Sequence, residues 1–149
     1  MKIEQEIRQK KFRNDWQKAV INLIFTSSWL QLKMKDFMKG YGITPQQYNV
    51  LKILKGQHPN PVSTNLVRDR MLDKMSDVSR IVARLQEKGL VDVCRACHDK
   101  RLVDIVISEK GLALVAEIDS RDDEMDGFLK KINKEEAAEL SRLLDKMRG

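Results

Sequence analysis

The stretch from Met75 to Gly89 carries the most informative pattern of apolar and polar positions in the chain. Its apolar positions are Val78, Ile81, Val82 and Leu85. Their spacing of three, one and three predicts a helix with one face against a core. Ser76 stands before this face as a candidate N-cap. Gly89 follows it, as a residue that readily takes the left-handed conformation in which many helices end.

The opposite face of this predicted helix is polar and begins with short side chains. It carries Ser76, Asp77, Ser79, Arg80 and Arg84. For an arbitrary helix such a face is solvated, with its arginines in salt bridges to neighbouring acids. In a helix-turn-helix protein, however, the start of the second helix enters the major groove of DNA. We therefore expect DNA contact, with Arg80 at a base edge and Arg84 on a phosphate.

A β-hairpin with a basic tip is predicted after the helix. Its strands are the short apolar runs Leu90–Cys94 and Leu102–Ile107, joined by Arg95–Arg101. The basic residues of this connection include Arg95, Lys100 and Arg101. A guanidinium is attracted into the minor groove by the negative potential concentrated there. Arg101 is our candidate for that position, and Asp99 is the carboxylate expected to orient it.

Helices are also predicted before the hairpin and its helix. Phe12–Tyr41 has a seven-residue repeat typical of a long helix with an apolar seam. One row of that seam consists of Trp16, Leu23, Leu30 and Phe37. Thr44 and Pro45 supply an N-cap and a first helical residue for the next helix. A further capping run, with phosphate contact as a secondary role, precedes a short helix to about residue 71: Ser63, Thr64 and Asn65.

Two more helices are predicted after the hairpin. The first runs from Glu109 to Lys131 and the second from Asn133 to about Met147. Asn133 is a capping residue with Glu136 three positions later, which is the spacing of a capping box. The apolar stripe of the last helix consists of Leu140, Leu143, Leu144 and Met147. The order of elements is therefore helix, helix, turn, helix and hairpin, with further helices at both ends.

This central stretch resembles the MarR family of bacterial transcriptional regulators, the multiple antibiotic resistance regulator type. The residues that fit its recognition helix and exit are Ser76, Val78, Ser79, Arg80, Arg84, Leu85, Lys88, Gly89, Leu90 and Val91. Asp99 and Arg101 stand at the family's D-x-R wing motif, and residues 108–111 (SEKG) resemble its T-E-K-G motif. The chain departs from the family at Asp77, where Ser or Thr is usual. It departs again at Val93 and Cys94, where arginines are common.

The resemblance implies a mainly α fold with a small β-hairpin wing. A winged helix-turn-helix core would carry dimerisation helices at its N- and C-terminal sides. Residues 1–149 would then be one domain, with dimerisation helices in 1–40 and 112–149 and the DNA-binding lobe in 41–111. A homodimer would place two recognition helices roughly 34–36 Å apart, matching a pseudo-palindromic operator in double-stranded DNA. The resemblance also implies a repressor that a small-molecule effector, phenolic or otherwise aromatic, releases from DNA.

Composition agrees with a DNA-binding protein. The formal net charge is +6 and the isoelectric point is about 9.4, which suits a polyanionic partner. The chain of 149 residues is 42% hydrophobic, so it can bury a substantial core. It has no apolar run of membrane-spanning length and no apolar signal segment near its start. We therefore expect a cytoplasmic protein without a membrane partner.

The two cysteines lie in the string Cys94-Arg-Ala-Cys97-His98, which matches the C-x-x-C-H of c-type haem attachment. Haem attachment of this kind needs export, and a redox C-x-x-C opens a helix, whereas these cysteines lie in a predicted hairpin. With two cysteines and two histidines the chain also has too few zinc ligands. We expect neither metal nor cofactor. An oxidant-sensing regulator that uses Cys94 or Cys97 is an alternative, because Arg95 and Lys100 favour a reactive thiolate.

No catalytic constellation is visible in the sequence. His58 and His98 have no serine or cysteine placed to form a triad, and there is no glycine-rich phosphate loop. We therefore expect a DNA-binding regulator and not an enzyme. A second alternative is a winged-helix module that binds protein instead of DNA, because a fold does not fix a function. Asp77 and the weakly basic first wing strand favour that alternative.

Overall fold

The computed structural model describes residues 1–95 and 103–149. Their fold is mainly helical with a small antiparallel sheet, which confirms the predicted fold class. The helices are α1 (Ile3–Glu6), α2 (Asp15–Lys39), α3 (Pro45–Gln57), α4 (Thr64–Arg70), α5 (Val78–Glu87), α6 (Glu109–Asp119), α7 (Asp122–Asp126) and α8 (Lys134–Arg148). The strands are β1 (Val62–Ser63), β2 (Val91–Arg95) and β3 (Val103–Ile107). The chain forms two compact units, Met1–Phe37 and Met38–Gly149.

The N-terminal unit contains α1 and most of α2. Glu4 of α1 forms an ion pair with Lys18 of α2 at 2.6 Å. The long helix predicted from residue 12 begins instead at Asp15, because Asn14 caps it. The Oδ1 atom of Asn14 accepts a hydrogen bond from the backbone N–H of Gln17 at 2.9 Å. The helix forms as its heptad pattern predicts, yet large apolar side chains along it, such as Trp16 at 80%, are exposed.

Strand β3 is the central strand of the sheet in the C-terminal unit, where the order is β1-β3-β2. Both strand pairs are antiparallel, with Val91 opposite Ile107 and Val62 opposite Ile105. The β2–β3 hairpin was predicted, whereas β1 was not. A strand of two residues that leads directly into a helix shows no alternation of its own. Because Ile105 is fully buried, the middle of the sheet belongs to the core.

The inner face of α5 is buried as its spacing predicts. Val78, Val82 and Leu85 are buried, and Ile81 is half-buried. Helix α3 contacts both α5 and α6 and contributes the buried side chains Val50, Leu51 and Leu54. Core packing of this kind leaves a side chain few alternative positions. Because the core holds the inner face of α5, the orientation of its outer face is fixed as well.

A close backbone contact joins the end of α5 to the start of α6. Ser108, the N-cap of α6, donates its backbone N–H to the carbonyl of Leu90 at 3.1 Å and its hydroxyl to the carbonyl of Gly89 at 2.7 Å. One turn later, Gly111 lies so near that a Cβ atom on it would be 2.2 Å from the Leu90 carbonyl oxygen and 2.7 Å from Ile107 Cγ1. Only a residue without a side chain fits there.

A half-buried carboxylate connects α3 to α6. Asp119 accepts hydrogen bonds from Tyr48 Oη at 2.8 Å, Lys52 Nζ at 2.9 Å and Lys55 Nζ at 2.8 Å. Burial acts to raise the pKa of Asp119, but the bonds from Lys55, Lys52 and Tyr48 outweigh it and lower the pKa to about 2. Burial and the hydrogen bond to Asp119 raise the pKa of Tyr48. The three donors lie at spacings of four and three, on one face of α3.

The prediction of one helix from Glu109 to Lys131 is wrong. Helix α6 ends at Asp119, α7 begins at Asp122, and a short 3-10 turn follows α7. Between them Arg121 has φ −113° and ψ 24°, outside the helical region. Its N–H bonds to the carbonyl of Ile118, three residues back, at 2.9 Å. This hydrogen bond spans three residues instead of the four of an α-helix, so it tightens the last turn of α6 and ends the helix.

Helix α8 begins where it was predicted to begin. Asn133 and Glu136 form the expected capping box, with both hydrogen bonds at 2.8 Å. No residue of α8 is buried within the chain. Its apolar stripe is largely exposed, at 44% for Leu140, 48% for Leu143 and 60% for Met147. Within residues 1–95 and 103–149 this stripe is therefore not fully covered by other side chains.

The contact at Gly111 yields a stability prediction. Gly111→Ala should lower the free energy of unfolding by about 3 kcal/mol or more, because the new methyl group must displace a backbone carbonyl. Gly56→Ala is the matched control. Gly56 lies in α3, and apart from its chain neighbours and its own helix backbone no atom of the described residues lies within 4 Å of its Cβ position, so alanine there should raise the stability by about 0.5–1 kcal/mol. Urea unfolding of both variants at one protein concentration measures the difference, and equal stabilities would contradict the contact.

The carboxylate of Asp119 yields a pH prediction. Because its pKa is lower in the folded chain than in the unfolded one, its stabilisation is complete above about pH 4 and is lost as the pH falls toward 2. Asp119→Asn should cost about 1–2 kcal/mol at neutral pH and flatten the stability curve over that acid range. Asp123→Asn, an exposed change in α7, serves as the control. Urea unfolding at stepped pH values tests this, and parallel curves for wild type and Asp119→Asn would refute it.

Candidate nucleic-acid interface

Asp77, and not Ser76, is the N-cap of α5, which corrects the sequence interpretation. The Oδ1 atom of Asp77 accepts a hydrogen bond from the backbone N–H of Arg80 at 3.2 Å. The hydroxyl oxygen of Ser76 is buried and has no hydrogen-bond partner in the part of the chain that the structure describes. A carboxylate suits the cap because the N-terminal end of a helix carries partial positive charge. The unusual acid at this position therefore has a structural role.

The outer face of α5 presents the polar residues that the sequence singled out. Ser79, Arg80 and Arg84 are exposed, and the two arginines, four residues apart, lie on one side of the helix. Arg84 Nη1 lies 3.8 Å from Glu87 Oε2, with both side chains more than half exposed. An ion pair of that length in water contributes little energy. Its guanidinium can therefore exchange this carboxylate for a phosphate at small cost.

Helix α4 and its cap hold the next group of candidate residues. Ser63 is the N-cap of α4, and its hydroxyl accepts a hydrogen bond from the N–H of Leu66 at 3.2 Å. Thr64 is the first helical residue. Asn65 is exposed and accepts a hydrogen bond from Arg68 Nη1 at 2.7 Å. The predicted capping role is thus confirmed for Ser63. Asn65 does not cap the helix in this way; its side chain accepts the hydrogen bond from the Arg68 guanidinium.

The turn between α4 and α5 is anchored to α3. The backbone N–H of Leu72 donates a hydrogen bond to Asn49 Oδ1 at 2.9 Å, and helices α3, α4 and α5 contact one another. The three helices therefore form one supported block. The candidate residues of α4 and α5 lie on two elements of that block.

The wing contributes one exposed cation in the described residues. Arg95 ends β2 opposite Val103, and Cys94 stands opposite Asp104 in the same hairpin. The side chains of Cys94 and Arg95 are exposed. The other predicted wing residues lie outside the described residues: Cys97, Asp99, Lys100 and Arg101. Within residues 1–95 and 103–149, no group of three His, Cys, Asp or Glu side chains is placed to hold a metal ion.

Sequence reasoning missed a group of hydrogen bonds at the C-terminal end of α5. Lys88, the C-cap of α5, donates through Nζ to the carbonyl of Gly42 at 2.5 Å and to Gln47 Oε1 at 3.1 Å. Lys110 Nζ donates to the backbone carbonyl of Lys88 at 2.9 Å. Both lysines line a cavity of about 570 Å³. No local pattern pointed to it, because its lining comes from segments far apart in sequence.

Residues 41–102 match the model of the MarR family, a span that contains α3, α4, α5 and β2. The HTH-type transcriptional repressor MdtR of Bacillus subtilis (strain 168) is 32% identical over 82 residues, or 55% of this chain and 52% of MdtR. The match thus spans about half the length of that relative. The resemblance found in the sequence is confirmed. The relatives that match this span are transcription regulators.

Solved structures extend the likeness over nearly the whole chain. A MarR transcription factor from Planctomyces limnophilus is 26% identical, with a TM-score of 0.71 and coverage of 91% of this chain and 98% of that chain. The organohalide-sensing regulator RdhR-CbdbA1625, in its 2,4-dichlorophenol-bound form, is 19% identical, with a TM-score of 0.82 and coverage of 94% and 85%. The second likeness establishes fold alone. None of the helices described in this chain combines the length and apolarity that crossing a membrane requires.

The two capping candidates of α5 can be separated by substitution. Asp77→Ala should lower the free energy of unfolding by about 1 kcal/mol, because the N–H of Arg80 loses its acceptor. Asp77→Ser supplies another capping oxygen and should retain most of the stability. Ser76→Ala should leave the stability unchanged or raise it slightly, since it removes a hydroxyl without a described partner. Urea unfolding followed by circular dichroism measures all three, and a cost confined to Ser76→Ala would return the cap to Ser76.

Proposed function

By its winged-helix domain the chain belongs to the MarR family of transcriptional regulators, and we propose that it is a dimeric repressor of a pseudo-palindromic DNA operator. The observation that carries the proposal is the outer face of α5. It presents Ser79, Arg80 and Arg84 to solvent while the opposite face is buried in the core. A rigid helix with exposed arginines near its start fits the major groove. MdtR, named a transcriptional repressor, and the Planctomyces limnophilus transcription factor support this use of the fold.

Individual contacts follow from position on the helix. Arg80 lies in the first turn of α5, where a side chain can reach a base edge, and Arg84 lies one turn further along. In the wing, Arg95 and Lys100 would contact phosphates beside this helix. Arg101, oriented by Asp99, would enter the minor groove. Ser63, Thr64 and Asn65 would contact phosphates beside the same groove. Ser76, whose hydroxyl is buried, and Asp77, whose carboxylate caps α5, would act by holding the start of the helix.

Dimerisation is supported by the uncovered apolar side chains of two helices. On α2, Trp16, Val20, Ile24 and Leu32 are 80%, 53%, 62% and 61% exposed. On α8 the stripe containing Leu140, Leu143 and Met147 is exposed as well. An exposed apolar patch on a soluble protein marks a surface for protein–protein contact. A second copy of the chain would cover it, and two-fold symmetry would then pair the recognition helices with the two halves of a palindrome.

Regulation by a small molecule completes the proposal. RdhR-CbdbA1625, which shares the fold, has been solved with 2,4-dichlorophenol bound. In this chain an aromatic or phenolic effector would act by preferring a conformation whose recognition helices do not match the operator spacing. Such a ligand lowers operator affinity by the ratio of its own affinities for the two conformations.

Selection of bound duplexes from a random pool tests the DNA-binding function. An enriched sequence with two-fold symmetry is the expected result, because each half would contact one recognition helix of the dimer. Affinity for the selected duplex should fall steeply between low and moderate salt, since the contacts displace counterions from phosphates. Failure to enrich any sequence, together with a flat salt dependence, would instead favour the protein-binding alternative.

Two arginine variants assign the contacts. Arg80→Ala should weaken binding to the selected duplex by about 1–3 kcal/mol and relax the preference at one base position. Arg84→Ala should weaken all duplexes alike and reduce the salt slope by about 1, the signature of a lost phosphate contact. Arg148→Ala, at the end of α8, removes the same charge away from α5 and is the control. The assignment fails if all three variants bind equally.

A further inference from the structure

The turn between α4 and α5 exposes two large apolar side chains. Met75 is 92% exposed and Leu72 is 87% exposed, more than any large apolar side chain of α2 or α8. In residues 41–95 and 103–111 no other large aliphatic, aromatic or methionine side chain is classed as exposed. Because neither residue lies on α2 or α8, they form a surface separate from the proposed dimer contact.

Hydrogen bonds hold the backbone of this turn in place. The N–H of Leu72 donates to Asn49 Oδ1 of α3 at 2.9 Å. The N–H of Met75 donates to Asp73 Oδ1 at 3.0 Å, and the N–H of Ser76 donates to the Asp73 carbonyl at 3.2 Å. The backbone of Met75 is therefore bonded within the turn, while its side chain is left in solvent.

Met75 lies two residues before Asp77, the N-cap of α5. The Ser76 hydroxyl is buried, and the Asp77 carboxylate accepts the N–H of Arg80. Of these three residues before the first turn of α5, Met75 is the one whose side chain has no structural role within the described chain. The start of a recognition helix enters the major groove, so a side chain exposed just before it lies at the edge of that groove.

We propose that Met75 contacts the C5-methyl group of a thymine in the operator and so determines a preference for thymine at that position. This contact rests on the proposed function, since it requires the start of α5 to lie in the major groove. The thymine methyl is the apolar group that base pairs present there. A methionine side chain is flexible and polarizable, so it can fit against such a group and remove it from water.

The chemistry of methionine favours a base contact over a phosphate contact. Its thioether has no hydrogen-bond donor and is only a weak acceptor, so it cannot bind a phosphate. An exposed methionine also suits an apolar protein surface. Here, however, Lys74 and Arg80 are exposed on either side of Met75 in the sequence, and such cations match the phosphates that flank a groove. DNA is therefore the occupant that fits both the methionine and its surroundings.

Deoxyuridine tests the contact, because it differs from thymidine only by the missing methyl group. Each thymine in one half-site of the selected duplex is replaced singly. For the wild type, one replacement should weaken binding about fourfold, the value of one buried methyl group. For Met75→Ala the same replacement should leave the affinity unchanged, and this double-mutant cycle isolates the pair. An equal loss in both proteins overturns the proposal, as does a half-site in which no thymine is sensitive.

Further variants separate the methionine from its neighbours. Met75→Leu should keep the preference for thymine, whereas Met75→Gln, of similar length but polar, should lose it. Leu72→Ala is the matched control, since Leu72 is an exposed apolar residue of the same turn whose backbone is bonded to α3, and it should keep the preference. Thermal unfolding of all four variants should match the wild type, because both side chains are exposed. Loss of the preference in Leu72→Ala, with Met75→Ala like the wild type, contradicts the assignment to Met75.

The contact and the proposed function fail in different ways. If no duplex is bound in the selection, the proposed function fails and the contact fails with it. If a duplex is bound and Arg80→Ala weakens it, yet every deoxyuridine is tolerated, the function stands and the contact is wrong. The exposed methionine then fits the protein-contact alternative.

Discussion

The contact between Gly111 and the carbonyl of Leu90 is the constraint on which the C-terminal unit depends. At this point the chain leaves α5, and the chain entering α6 passes so near that no side chain fits between them. Ser108 completes the junction by bonding to the carbonyls of Leu90 and Gly89. Because these two segments are in contact, Val91 at the start of β2 lies opposite Ile107 at the end of β3. The register of the whole hairpin then follows.

The same junction determines where α5 ends. Gly89, with a φ of 71°, turns the chain out of α5, and Leu90 is buried directly after it. The lysines at positions 88 and 110 add polar ties on the outside of this turn. The C-terminal end of α5 is therefore held by backbone contact and by ammonium groups, whereas its outer side is exposed. A helix held in this way can present arginines in a reproducible geometry, which sequence-specific contact requires.

Acidic residues have structural roles in this basic protein. Asp77 caps α5 through its carboxylate. Asp119, at the end of α6, accepts hydrogen bonds from a tyrosine and two lysines of α3. Each acid is placed where positive charge is concentrated, in one case a helix N-terminus and in the other two ammonium groups. At Asp77 the acid lies beside the proposed interface, so its capping role explains its presence there.

The sequence by itself determined the features that depend on neighbouring residues. The stripe of Val78, Val82 and Leu85, the caps Thr44, Ser63 and Asn133, and the glycine after α5 all act within one or two turns, so their patterns are readable along the chain. The exposed arginines of the candidate interface follow from the same periodicity. Tertiary structure decided the rest. Strand β1 forms because β3 lies beside it, and α6 ends where Arg121 leaves the helical conformation. Asp77 is the N-cap of α5, whereas the Ser76 hydroxyl is buried. The pocket at Lys88 and Lys110 brings together residues from 41 to 117, and no local spacing encodes such a meeting. These features arise from contacts between distant segments, whose energies a linear pattern does not contain.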